Sequence, residues 1–120
     1  MSNNYLNNQD DFSFTKEFKE YKILSKDEQL KLVIKAKNHD IEARNQLILS
    51  NSKLIIEVAK KYMLSSIPLS DLFEVGVLGI AHAIELYDET KGKAFSSYAM
   101  LWINQEIGRY TEYQSRTMRI

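Results

Sequence analysis

The sequence predicts an all-α protein, a compact bundle of about five helices. Three observations carry that expectation. Apolar residues recur at helical spacing along most of the chain. No segment shows the apolar–polar alternation, bounded by turn residues, that marks strands. One Pro and four Gly in 120 residues favour long regular elements over turn-rich sheet. The length suits one domain, with enough chain to bury a core but too little for two independent ones.

The first eleven residues are Asn-rich and polar, and they read as a disordered N-terminus. Residues 12–120 read as the single folded domain. Phe14, Phe18 and Tyr21 share one face of a short amphipathic helix. Ser25 and Glu28 form the S-x-x-E capping-box pattern, and Leu30, Val33 and Ile34 continue a helix behind it. Asp40 is a good N-cap for a third, long helix running to Tyr62. Its stripe is Leu47, Asn51, Leu54, Val58 and Tyr62, with Asn51 as a polar break. Pro68 punctuates the chain, and Ser70 or Asp71 caps a helix to about Tyr87. That helix presents Leu72, Gly76, Ile80, Ala83 and Tyr87 inward. Gly76 and Gly79 each cost ~1 kcal/mol relative to Ala in a helix, so their spacing points to a close helix–helix contact. After the polar loop DETKGK, the last helix starts near Ser96 and frays around Gln114.

Several chemistries are excluded or unsupported. With no Cys there is no disulfide, thiolate metal site or Cys nucleophile. Two His leave little room for a metal centre, so no metal and no cofactor is expected. Asp88 and Glu89 are adjacent loop carboxylates without the positioned partners that acid–base catalysis needs. GVLGIA is a glycine pattern inside a helix, not a phosphate loop after a strand. His82 falls on an outer helix face with no evident task. An enzyme is not expected. No apolar run approaches the ~20 residues that span a bilayer, and the start lacks the pattern of a signal peptide, so the expected location is cytoplasmic, away from membranes.

The formal net charge is zero, but the charge is unevenly spread. Residues 91–120 hold Lys91, Lys93, Arg109, Arg116 and Arg119 against Glu106 and Glu112, a local +3 that the first ninety residues offset. A basic end on a neutral chain fits a protein with two partners of different character. Within that end, AFSSYAMLWINQEIGRY builds a helix with two useful faces. Ala99, Ile103 and Ile107 form an apolar one. Tyr98, Trp102, Gln105 and Arg109 form another that mixes rings, an amide and a guanidinium. Aromatic stripes at helical spacing are usually core. Aromatics interleaved with hydroxyls and cations also compose surfaces for single-stranded nucleic acid, where rings stack bases for ~1–3 kcal/mol each. Spacing alone leaves both readings open.

Three stretches resemble a known family. EARNQLILSNSKLIIEVAKKY, IPLSDLFEVGVLGIAHAIELYDETKGKAFSSYAMLWINQEI and QSRTMRI are similar to conserved region 2 of bacterial sigma-70 factors. The segment before them resembles region 1.2, and the likeness runs from about Ser25 to Ile120. It implies a helical domain that docks on RNA polymerase core, through the coiled coil of the largest subunit, and opens the −10 promoter element. By position, Tyr98 would stack on a flipped adenine of the nontemplate strand, Phe95 would help line its pocket, and Asp88 and Lys91 would stand near the base edge. Ser96, Asn51 and Leu54 would border a second pocket for a flipped thymine. Trp102 and Gln105 would meet the upstream duplex edge, and Arg109, Arg116 and Arg119 would meet phosphates. Polymerase would be bound through the helix carrying Asp71, Glu74, Val75, Val77, Leu78 and Ala81.

Four departures stand out. Leu101 occupies the first of two adjacent Trp positions, the wedge against the last base pair. Lys93 stands where an aromatic wall is common, and Gly108 replaces a polar residue near Gln105. Val75 and Val77 make the docking helix more apolar than the family's. The family continues beyond RTMRI into domains that read the −35 region, so the chain is expected to be either part of a longer protein or a natural partial sigma that needs a second subunit. An anti-sigma factor is a further conceivable partner. The competing expectation is a co-sigma or decoy that occupies polymerase or a partner without opening DNA alone.

Overall fold

The computed structural model describes residues 24–63 and 67–118. Five α-helices lie within them: α1 (Lys26–Lys37), α2 (Ile41–Ser50), α3 (Ser52–Lys61), α4 (Leu69–Leu86) and α5 (Phe95–Met118). A 3-10 turn, Glu89–Lys91, joins α4 to α5. Among the described residues there is no strand. The all-α expectation holds, but the helices divide differently. The short helix expected around Phe14–Tyr21 and the polar N-terminus both lie outside the described residues.

Two of the expected caps form. Ser25 Oγ accepts the Glu28 N–H (3.2 Å) while the Glu28 carboxylate accepts the Ser25 N–H (3.0 Å), a reciprocal capping box. Asp40 Oδ1 accepts the Ala43 N–H at 3.1 Å and starts α2. Between these helices the chain reverses through a Schellman turn: His39 N–H donates to the Ala36 carbonyl and Asp40 N–H to the Lys35 carbonyl. His39 takes the left-handed position at φ 71°, where glycine is usual because it has no Cβ to crowd the carbonyl. His39→Gly is therefore expected to raise stability by about 1 kcal/mol, read as an increase in denaturation midpoint; a decrease would mean that the imidazole contributes more than its backbone costs.

Two expected boundaries are corrected. The helix expected from Asp40 to Tyr62 is interrupted at Asn51, which leaves helical geometry at φ −105°, ψ 12°. The reason is local: the Asn51 amide donates back to the Leu47 carbonyl (2.9 Å) and across to Gln29 Oε1 of α1 (3.2 Å), competing with regular helix continuation. The polar break in the stripe is thus a buried cross-helix hydrogen bond, with Asn51 and Gln29 both about 4% exposed. Asn51→Ala strands the Gln29 carbonyl and is expected to cost about 1–3 kcal/mol; an unchanged denaturation midpoint would contradict that. The second correction is at α4. Its N-cap is Pro68 and makes no side-chain cap bond, so neither Ser70 nor Asp71 caps it.

The core is a set of fully buried aliphatics. Val33 comes from α1, Leu47 from α2, Ile55 and Val58 from α3, Leu69, Leu72 and Ile80 from α4, and Ile103 and Ile107 from α5. The inner stripe of α4 is buried as expected, from Leu72 through Gly76, Ile80 and Ala83 to Tyr87. So is the apolar face of α5, which Phe95 extends by one turn. The α4–α5 pairing is the most extensive in the bundle, and Gly79 sets how close it can be. A Cβ there would lie 2.9 Å from Ile103 Cα and 3.0 Å from the Trp102 carbonyl carbon. The backbones meet directly, which leaves the other side of α5 free to present its larger side chains.

Candidate nucleic-acid interface

Where α4 ends and α5 begins, the 3-10 turn and the first turns of α5 enclose a hollow of about 390 Å³. Leu86, Tyr87, Asp88, Lys91, Lys93, Tyr98 and Leu101 line it. The sequence pattern explains why these side chains converge. Asp88 caps the turn, its Oδ1 accepting the Thr90 N–H (2.9 Å) and hydroxyl (2.6 Å). Gly92 then takes φ 78°, a left-handed residue that turns the chain back. Lys91 and Lys93 flank that reversal and so reach the same rim.

Beneath the hollow is an aromatic floor. The Tyr87 ring meets Phe95 edge-on with centroids 5.4 Å apart, and Tyr98 at 5.7 Å with a 48° tilt. The Tyr87 hydroxyl donates to the Lys93 carbonyl and the Lys37 ammonium to the Tyr87 carbonyl, which ties the floor to the loop and to α1. Burial, and after it the carboxylates of Glu89 and Asp88, push the Tyr87 phenol above its ordinary value, so it stays protonated and keeps donating. Tyr98 is half-buried, and its hydroxyl lies 3.4 Å from the Leu86 carbonyl. One ring is thus held in place while part of its surface remains open to the hollow.

The Asp88 carboxyl titrates below its ordinary range, first because of the Thr90 hydroxyl, then the Thr90 N–H, with Lys91 and Lys37 adding to the effect against a small desolvation penalty. A carboxyl with a lowered folded value contributes above its unfolded value and loses that contribution as pH falls through the folded one. The turn is therefore expected to keep its cap through the usual carboxylate range and lose it only below. The Thr90 amide resonance in an acid titration reads this directly, and Thr90→Val should move the transition toward ordinary carboxylate pH.

The other expected site residues are distributed unevenly. Phe95 is only 2% exposed; it supports the hollow from below and does not line it, because it belongs to the apolar face of α5. Asn51 is buried and engaged with Gln29, so it offers no surface to a ligand, while Leu54 is half-buried against the core. Ser96 is half-buried outside the hollow's lining. Leu101 is 56% exposed at the hollow's edge, and Trp102 is half-buried one position on, with Gln105 exposed beyond it. Arg109 pairs with Glu106 (2.9 Å) and Arg116 with Glu112 (2.9 Å), so neither guanidinium stands alone. Arg119 lies outside the described residues. The sequence reading missed His82, whose Nδ1 lies 3.0 Å from Glu106 Oε2 and whose ring meets Trp102 at 5.2 Å. No local pattern points to these contacts, because they depend on the register between α4 and α5.

The family profile described as Sigma-70 region 2 matches residues 47–117, more than half of the chain. The chain belongs to the sigma-70 family. Among its curated relatives, RNA polymerase sigma factor RpoS of Coxiella burnetii is 39% identical over 98 residues, 82% of this chain and 28% of the relative. RNA polymerase sigma factor SigA of Clostridium acetobutylicum is 38% identical over 107 residues, 89% of this chain and 28% of the relative. SigA of Listeria monocytogenes is 36% identical over 107 residues, 89% of this chain and 29% of the relative. This sigma-70 chain therefore spans less than a third of the length of these relatives.

In the sigma-70 chain, the helix expected to meet polymerase is α4, and its outer side is split. Asp71, Glu74, Val75 and Leu78 line one shallow groove of about 400 Å³ together with Tyr110 of α5. Ala81 lines a different hollow, with Lys37, His39, Arg44, Ile84 and Glu85. Leu78 is 55% exposed, whereas Val75 and Val77 are half-buried against the core. The two valines thus serve the bundle at least in part, and Leu78 is the most exposed apolar side chain of this face. Among the described residues no group of three or more His, Cys, Asp or Glu could hold a metal ion, and no helix is long and apolar enough to cross a membrane.

Proposed function

We propose that this chain is the part of a sigma factor that docks on core RNA polymerase and captures an unpaired base of the −10 nontemplate strand in the hollow beside Tyr98. The single observation that carries this is the composition of the hollow: the Tyr98 ring, half-buried against the Tyr87 ring, with two lysines and a carboxylate in the same lining. Tyr98 supplies the plane for stacking, Lys91 and Lys93 attract the strand's phosphates, and the Asp88 oxygen not held by Thr90 can accept from a base edge. Leu101 acts as a small apolar wedge at the last base pair, with Trp102 and Gln105 beside the duplex. Extruding a base costs a few kcal/mol, which stacking and phosphate contacts together offset without ATP. The phosphate contribution is salt-dependent and blind to sequence.

Polymerase docking is assigned to α4, through Asp71, Glu74, Val75 and Leu78. The coiled coil of the largest polymerase subunit is the partner by family likeness. The relatives are RNA polymerase sigma factors, which supports the same partner.

A second reading has its own support. Leu101 offers less surface than a tryptophan wedge, and Lys93 gives the hollow a cation in place of an aromatic wall. On this reading the chain is a co-sigma or decoy that binds polymerase, or a partner, without opening DNA alone. Adding the chain to core polymerase on a −10 promoter and probing unpaired thymines distinguishes the two. Opening with the chain as sole sigma supports the first reading, and opening only with a second protein supports the other. No polymerase binding at all would contradict the first reading and leave the second only its partner-binding form.

A further inference from the structure

His82 of α4 reaches across to α5, where it touches Trp102, expected to face DNA, and Glu106, the partner of Arg109. Its Nδ1 lies 3.0 Å from Glu106 Oε2, and Arg109 Nη2 lies 2.9 Å from that same oxygen. Its ring meets the Trp102 indole with centroids 5.2 Å apart and a 54° tilt. We propose that His82 is a positioning residue with a titratable charge: it fixes Trp102 directly and Arg109 through Glu106, and its protonation adds a cation to the duplex-edge surface.

The chemistry follows from the atoms present. A carboxylate only accepts, so His82 Nδ1 must carry the proton for that contact to be a hydrogen bond. In the neutral ring this leaves Nε2 as an acceptor. A second proton makes Nε2 a donor while the bond to Glu106 stays intact. The His82 side chain is 46% exposed and can take that proton, whereas the Glu106 side chain is only 12% exposed and sits between the two helices. The charged groups facing His82 from α5 are Glu106 and Arg109, and Glu85 stands one turn further along α4. With neutral His82, Glu106 and Arg109 cancel and the cluster has no net charge. With protonated His82 the cluster carries +1, on a ring within cation–π range of Trp102. Gly79, one turn before His82, permits this reach, because the α4 and α5 backbones are in contact there.

The consequence for DNA rests on the proposed function; the positioning of Trp102 does not. The decisive experiment therefore begins without DNA. Trp102 is the sole tryptophan of the chain, and a protonated imidazole quenches indole emission more strongly than a neutral one. Trp102 emission, excited at the red edge of indole absorption, should rise through one transition as His82 passes from protonated to neutral with increasing pH. His82→Gln should abolish that transition, and His39→Gln should leave it unchanged. A flat profile in the unaltered chain, or a transition that survives His82→Gln, would overturn the proposal. The second arm uses a labelled −10 promoter fork and the chain bound to core polymerase. Protonated His82 should add one phosphate contact, steepening the plot of log affinity against log salt by about 0.9 at acidic relative to basic pH, and His82→Gln should remove that difference. A salt slope that does not change with pH while the fork is bound would overturn the added-cation part. Failure to bind the fork at any pH, with the emission transition intact, would instead count against the proposed function.

Discussion

Tyr98→Ala is expected to weaken binding of the −10 single strand by roughly 5- to 150-fold while leaving binding to core polymerase unchanged. The ring is the only aromatic surface of α5 that lines the hollow, and losing a stacked base costs about 1–3 kcal/mol, or roughly 5- to 150-fold in affinity. Tyr98→Phe should retain most of that affinity. The hydroxyl makes a long 3.4 Å approach to the Leu86 carbonyl, and the stacking plane is intact without it. Polymerase binding is assigned to α4, on residues that do not touch the hollow, so the two activities separate. The measurements are strand affinity by fluorescence anisotropy and polymerase affinity by co-migration. Unchanged strand affinity in Tyr98→Ala would remove the stacking role.

Gly79→Val is expected to have the largest effect on stability. Most helical glycines gain about 1 kcal/mol on conversion to Ala, but here the added Cβ meets backbone atoms of Trp102 and Ile103 at 2.9–3.0 Å. Side chains can turn away from such a clash, whereas two packed helix backbones can only separate. Overpacking costs about 1–3 kcal/mol for small additions, so Gly79→Ala should already destabilise, and the two methyl groups of Val should cost more. Gly108 provides the control on the same pair of secondary-structure rules. The atoms nearest its added Cβ would belong to the Tyr62 side chain, at 3.3 Å and beyond, which can shift where a backbone cannot, so Gly108→Ala should cost much less than Gly79→Ala. If Gly79 and Gly108 responded alike, the close α4–α5 approach would not be what Gly79 supplies. Because α5 carries the proposed DNA surface, Gly79→Val should also displace Trp102 and weaken fork binding.

Much of the fold was legible from local chemistry. The Ser25–Glu28 box, the Asp40 cap and the inward stripes of α4 and α5 each follow from residue type and period, and none depends on a distant partner. What could not be read depends on register between helices. Asn51 is polar on an inward stripe whether it faces a ligand or Gln29, and only the placement of α1 decides for Gln29. Phe95 and Tyr98 are both aromatic residues at the start of one helix. One is core and the other lines the hollow because they sit three residues apart on a helix whose burial direction is set by Ile103 and Ile107. From sequence His82 reads as an idle surface residue for the same reason: its partners are on another helix, and no local pattern announces them. The hollow itself is a hybrid. Its members Asp88, Lys91, Lys93 and Tyr98 were identifiable by family likeness, but the floor made by Tyr87 and the tether from Lys37 were not.

The central claim is that the hollow beside Tyr98 receives an unpaired base. Its most direct test compares two otherwise identical −10 strands with the chain bound to core polymerase, one intact and one abasic at the position placed over Tyr98. The expected result is a roughly 5- to 150-fold weaker affinity for the abasic strand, with the difference lost in Tyr98→Ala. Equal affinity for the two strands in the unaltered chain would contradict it.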